Sequence, residues 1–171
     1  QFDSICLSNN LTFLNNSSGI GNVFSWSFGD GVLGTTTNPS HTFLSSGVYF
    51  TSLTATNIYG CEDSYMDTIT VLQNPTALFS LDSVCLANPT SFNNSSTLGY
   101  SWSWNFDDGN TSILQNPIHT YSNDGNFNVS LITKNTFGCA DTLVKTTVVY
   151  PIVSANFGQS LACINRPIYF T

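Results

Sequence analysis

A block of six residues, Trp26-Ser27-Phe28-Gly29-Asp30-Gly31, returns 78 residues later as Trp104-Asn105-Phe106-Asp107-Asp108-Gly109. Its surroundings return in step with it. Asn38-Pro39-Ser40-His41-Thr42-Phe43 is matched by Asn116-Pro117-Ile118-His119-Thr120-Tyr121, and Gly60-Cys61-Glu62-Asp63 by Gly138-Cys139-Ala140-Asp141. Self-similarity at one fixed offset means duplicated structural units, each folding by the same rules. It divides the 171 residues into a unit over 1–74 with an incomplete first strand, a complete unit over 75–150, and the start of a third over 151–171. Chemistry belonging to one unique site is not expected to be copied along such an array.

Within each unit the apolar pattern has period two. Phe24, Trp26 and Phe28 alternate with Ser25 and Ser27, and Tyr100, Trp102, Trp104 and Phe106 alternate with Ser101, Ser103 and Asn105. That is the signature of a half-buried strand. Each run stops at Asp30-Gly31 or Asp108-Gly109, because glycine adopts the positive φ of a tight turn. A second long strand follows Gly47 and Gly125, with Tyr49, Thr51, Leu53 and Ala55 on one face and Phe127, Val129, Leu131 and Thr133 on its counterpart. After the Gly-Cys turns the chain returns through Ile69-Thr70-Val71 and Thr147-Val148-Val149. Shorter strands are expected at Thr12–Asn15, Ser91–Asn93, Ala77–Phe79 and Ala155–Phe157. About seven short strands per unit and no helix predict an all-β fold of tandem immunoglobulin-like Greek-key β-sandwiches.

Composition narrows the function. Asn, Ser and Thr supply 64 of the 171 residues, against three Lys and Arg, and the net charge is −7. Without a basic patch, binding to nucleic acid or to an anionic membrane is not expected. No apolar run reaches the ~18 residues of a membrane span, so membrane insertion is not expected either.

The ordered motifs (Phe-Gly-Asp-Gly after a Trp strand, Asn-Pro-x-His-x-Phe/Tyr, then Gly-x-Tyr/Phe-x-x-x-Leu) resemble those of the PKD domain over both repeats. The second copy departs only in reading Phe106-Asp107-Asp108-Gly109. The extra cysteines make the array similar to PKD arrays in surface proteins of Bacteroidota. That resemblance implies an extracellular or cell-surface protein: a spacer in the stalk of a long adhesin or filament, gliding motility included, exported by a type IX system and partnered by its own neighbouring modules. PKD modules also accompany secreted proteases and polysaccharide hydrolases, and direct binding of glycans or proteins by the exposed loops is a third reading, so all three stay open. Asp3-Ser4-Ile5, Asp67-Thr68-Ile69, Asp82-Ser83-Val84 and Asp141-Thr142-Leu143 are similar to the Asp-Ser/Thr-aliphatic O-glycan acceptor of that phylum, which marks Ser4, Thr68, Ser83 and Thr142 as glycosylation candidates.

No catalytic set emerges, and no enzymatic role or cofactor is expected of these modules. Gly29-Asp30-Gly31-Val32-Leu33-Gly34 fits G-x-G-x-x-G, but its copy abandons the pattern and no helix follows, so a turn is the reading. His41 and His119 occupy matching places in separate units and read as hydrogen-bonded structural groups. Glu62 is the sole Glu, which leaves no carboxylate pair for glycosidase chemistry. Some PKD modules bind calcium, and Asp107, Asp108, Asn123 and Asp124 are loop oxygen donors, yet no Asp-x-Asp-x-Asp loop supplies the six to eight ligands calcium takes. Trp26 and Trp104 are the expected core tryptophans. Tyr100 and Trp102 are placed in the core with Trp104 rather than on a ligand platform.

Five cysteines at repeated positions in a secreted-type β-protein point to disulfides. Pairing within units gives Cys6–Cys61 and Cys85–Cys139. Sandwich topology argues against it, because the early Cys and the Gly-Cys turn lie at opposite ends, ~25–30 Å apart, and bridged Cα atoms must be about 4.4–6.8 Å apart. Head-to-tail stacking predicts instead Cys6–Cys139 across the junction, with Cys61, Cys85 and Cys163 pairing outside the segment.

Overall fold

The computed structural model describes residues 3–158 and contains no helix among them. The first module is built from seven strands: β1 (Asp3–Cys6), β2 (Asn10–Thr12), β3 (Val23–Ser27), β4 (Leu33–Gly34), β5 (Ser40–Thr42), β6 (Gly47–Thr56) and β7 (Glu62–Leu72). The second has β8 (Phe79–Ser80), β9 (Val84–Cys85), β10 (Thr90–Ser91), β11 (Asn93–Asn94), β12 (Ser101–Asn105), β13 (Thr111–Ser112), β14 (Ile118–His119), β15 (Gly125–Lys134) and β16 (Ala140–Tyr150).

Each module is a two-layer sandwich. One layer is a five-stranded sheet, ordered β1-β7-β6-β3-β4 in the first module and β13-β12-β15-β16-β9 in the second. Short antiparallel pairs, β2 with β5 and then β10 with β14 and β11 with β8, form the facing layer. Parallel pairing of β1 on β7 sets Cys6 opposite Leu72, and β9 on β16 sets Cys85 opposite Tyr150. Each of these cysteines therefore lies at the far end of an eleven-residue strand from the Gly-Cys turn that begins it.

Alternation along the strands becomes burial. Trp104, Phe106, Phe79, Phe92, Val129 and Leu131 form the second core, with Trp102, Phe127 and Leu143 packed against it. Trp26, Phe28, Phe43, Ile69 and Val71 form the first. Trp104 is fully enclosed and Trp26 nearly so, and each indole N–H donates to a loop carbonyl, that of Leu114 at 2.9 Å and of Thr36 at 3.1 Å. This removes the cost of burying an unpaired donor.

Three sequence expectations fail. Tyr100 stands 70% exposed; it precedes β12, and alternation alone does not bury it. Phe13–Asn15 form no strand; the equivalent β11 exists because β8 pairs with it, and no described residue pairs with Leu14 or Asn15. Ala155–Phe157 are likewise without regular structure and exposed.

Candidate functional site at the intermodule junction

The two modules meet where the top of β7 hands the chain over to β8. The junction begins with a turn whose geometry the sequence dictates. Asn57 and Asn135 close matching loops: the Asn135 side-chain oxygen accepts from the amides of Phe137 and Cys139, and the Asn57 oxygen from those of Tyr59 and Cys61. Gly60 and Gly138 take φ of +81° and +88°, the left-handed region where a side chain is costly. Each turn thus presents its cysteine at the module tip.

At the junction Cys139 is bonded to Cys6, with Cα atoms 5.5 Å apart and a sequence separation of 133. Cys139 is buried beneath the contact. Pairing within the modules does not occur for Cys6 or Cys139, for the topological reason that each module places its two cysteines at opposite ends. Cys61 and Cys85 are exposed and carry no bridge among the described residues; Cys163 lies outside them. Hydrogen bonds from both modules grip the linker. Asn135 Nδ2 donates to the Gln73 carbonyl at 3.1 Å, Asn74 Nδ2 to the Leu7 carbonyl at 3.1 Å, and the Ala77 amide donates to Asp141 Oδ2 at 2.8 Å. Sequence reading missed these three partners. Asn135 and Asp141 flank Cys139 in the repeated Asn-x-x-Gly-Cys-x-Asp segment, and that repetition was the available signal.

A second repeated constellation sits inside each module. His41 Nε2 lies 2.7 Å from Asp30 Oδ2 and His119 Nε2 2.6 Å from Asp108 Oδ2, always eleven residues apart. Each imidazole stacks on the motif phenylalanine, Phe28 or Phe106, with planes 6° apart, and takes the edge of Phe43 or Tyr121. Burial by itself would raise the Asp30 carboxyl, but the Val32 amide and the His41 ring outweigh it and hold Asp30 below the ordinary carboxylate value. Asp108 behaves alike: burial opposes, and His119 and Asn110 hold it low. The Tyr121 hydroxyl is pushed strongly upward by burial, then by Asp108 and Asp107. A pair locked by stacking on both sides clasps the Asp-Gly turn to the facing layer.

The other candidates are placed as follows. Asp107 takes φ of +68°, where the first module has Gly29 at +85°, and its carboxylate accepts from the Asn128 amide at 2.8 Å. Asp108 is committed to His119 and Asn110, whereas Asn123 and Asp124, the other two oxygen donors proposed for calcium, lie exposed on the next loop. No cluster of three or more His, Cys, Asp or Glu suited to a metal occurs among the described residues. Ser4, Ser83 and Thr142 are exposed; Thr68 is half-buried.

The model of the PKD domain family matches residues 5–71 and again 73–150. The chain belongs to the PKD domain family. PKD domains are non-catalytic immunoglobulin-like modules that commonly serve as extracellular parts of adhesins or enzymes. Among solved structures, the PKD1 domain of Vibrio anguillarum Epp is 29% identical, with 47% of this chain and 98% of that one covered and a TM-score of 0.43. The PKD1 domain of the Vibrio cholerae metalloprotease PrtV is 30% identical, covering 45% and 98%, with a TM-score of 0.42. A solved chain from a 1.5-MDa bacterial ice-binding adhesin matches at 16% identity, with 91% of this chain and 63% of that solved chain covered and a TM-score of 0.41. No curated protein gives a significant match.

Proposed function

We propose that these PKD modules are non-enzymatic spacers of a long extracellular filament or adhesin stalk, in the class of surface fibres that serve attachment or gliding. The observation that supports this most is the junction. A covalent bridge, two asparagine amides and an aspartate all act around the six residues 73–78 that join β7 to β8, far more than a flexible tether between independent binding domains requires. Duplicated, interlocked modules set distance and direction. Where the chain is exported, the exposed hydroxyls of Ser4, Ser83 and Thr142 are the sites we assign to O-glycans, which add bulk and solubility to a surface poor in charge.

An eleven-residue strand spans about 36 Å, so two modules in line advance about 70–75 Å. Electron microscopy of the native polypeptide should show a beaded fibre with one bead per module, about 36 Å apart. A compact particle, or beads joined at freely varying angles, refutes the spacer reading.

A further inference from the structure

Asp-Gly is the aspartyl dipeptide whose backbone rearranges most readily, because glycine leaves the nitrogen after the aspartate uncrowded. The chain carries three, Asp30-Gly31, Asp108-Gly109 and Asp124-Gly125, and no Asn-Gly. Crowding at the glycine does not separate them, since a Cβ added to Gly31, Gly109 or Gly125 would meet nothing within 4 Å. Their carboxylates do separate them. Asp30 Oδ1 accepts from the Val32 amide at 3.1 Å, and its Oδ2 lies 2.7 Å from His41 Nε2. Asp108 Oδ1 accepts from the Asn110 amide at 3.0 Å, while its Oδ2 meets His119 Nε2 at 2.6 Å and accepts from Asn110 Nδ2 at 3.0 Å. Asp124 lies exposed in a loop, and no hydrogen bond among the described residues reaches its carboxylate. The first module has Ser46-Gly47 at that place.

We propose that Asp124-Gly125 is a site of spontaneous isoaspartate formation, and that the stacked imidazoles of His41 and His119 protect the other two Asp-Gly pairs from the same reaction. The Gly125 nitrogen attacks Cγ of the neutral Asp124 carboxyl. A C–N bond forms, a C–O bond breaks, and the oxygen leaves as water with the carboxyl proton and the amide proton. Water then opens the cyclic imide at either carbonyl, returning aspartate or leaving the chain linked through the side-chain carbon. One water is lost and one regained, with no oxidant and no change in mass. Attack needs a carboxyl that is neutral and free to swing onto the following nitrogen. The clasp denies both. His41 and His119 cannot step aside without leaving their stacks on Phe28 and Phe106, and the same contacts hold Asp30 and Asp108 ionised below the ordinary carboxylate range.

The consequences differ by site. Isoaspartate adds one methylene to the main chain. At Asp124 it enters the loop ahead of β15, whose first residue, Gly125, pairs with Val149, so Val129 and Leu131 keep their places in the core. At Asp108 it would lengthen the turn closed by the Phe106 amide on the Asn110 carbonyl and draw the carboxylate away from His119. The protected positions are those where the rearrangement would undo the fold. None of this depends on the spacer reading, since the chemistry is internal to the module.

The test is to age the 171-residue protein in neutral buffer, folded and in urea, and to count isoaspartate at each Asp-Gly by electron-induced fragmentation mass spectrometry. In the folded protein Asp124 should lead Asp30 and Asp108 by at least roughly tenfold, the factor imposed by first breaking a hydrogen bond to a charged group. In urea the three should react at similar rates. Asp124→Ser, which copies the first module, should remove the main product. His119→Ala should raise isoaspartate at Asp108 by about the same tenfold factor and leave Asp30 unchanged, with a cooperative melt showing that the variant is folded. Should that variant fail to fold, the comparison of folded with urea-treated protein decides alone. Equal rates at the three sites in the folded protein overturn the inference. So does a lead of Asp124 that persists undiminished in urea, or a folded His119→Ala whose Asp108 reacts no faster.

Discussion

Removing the junction bridge should loosen both modules at once, by an amount the topology sets. The perturbation is Cys6→Ala with Cys139→Ala; alanine is preferred to serine because Cys139 is buried and a hydroxyl there would add its own penalty. The bridge spans 133 residues, but that is not the loop that matters when one module unfolds while the other stays folded. Cys6 is held beside Leu72 by the β1–β7 pairing, and Cys139 beside Gln73 through Asn135. Unfolding either module therefore opens a closed loop of roughly 67 residues, for which chain entropy gives about 4 kcal/mol. At about 4–8 °C per kcal/mol for domains of this size, the variant should melt more than 10 °C below the oxidised protein by calorimetry. Its two modules should also separate into two transitions where the bridged protein shows one. Coincident melting curves for variant and oxidised protein would refute the reasoning, because they would mean that the bridge closes no loop in the unfolded chain.

Four further outcomes are expected. His119→Ala should cost about 2 kcal/mol, from a hydrogen bond to a charged acceptor together with its ring stack, read by chemical denaturation of the second module. Because Asp30 and Asp108 lie below their unfolded value of 3.8, the unfolded chain takes up protons first on acidification. The stability they provide is present above about pH 4 and is lost as pH falls through the lower folded values; a melting temperature that rises on acidification below pH 4 would contradict this. Trp104→Ala should cost about 3–5 kcal/mol, read in denaturant titrations of the second module; an unchanged midpoint would contradict its place at the centre of that core. Protein from the native source should exceed its polypeptide mass by glycan increments lost in Ser4→Ala, Ser83→Ala and Thr142→Ala, and a mass equal to the bare chain removes that assignment.

Much of this was legible in the residues, for identifiable reasons. Trp26 and Trp104 announce the core because alternation along a strand has only one burial solution once turns fix both ends. The bridge between Cys6 and Cys139 could be reasoned from strand direction alone, since a Cys at each end of a module leaves only a neighbour within reach. Tyr100 misled because period two says which face a residue points to and nothing about where the opposite layer stops. Leu14 and Asn15 misled because a strand needs a partner, and partnership is a property of the neighbouring chain segment. The His–Asp clasps were visible as two motifs and invisible as a pair; only the fold brings residues eleven apart into contact.

The bridge between Cys6 and Cys139 also decides where tension runs. A pull applied at Gln1 and Thr171 travels along the first few residues, crosses the sulfur atoms and leaves through β16. The residues enclosed by the bridge, across a sequence separation of 133, lie off that path. Of the two sandwiches only strands β1 and β16 carry the force, and roughly 450 Å of extended chain stays unavailable for lengthening even when a module melts. A fibre joined this way throughout would resist stretch through covalent bonds running from module to module, with the folded cores acting as spacers between them.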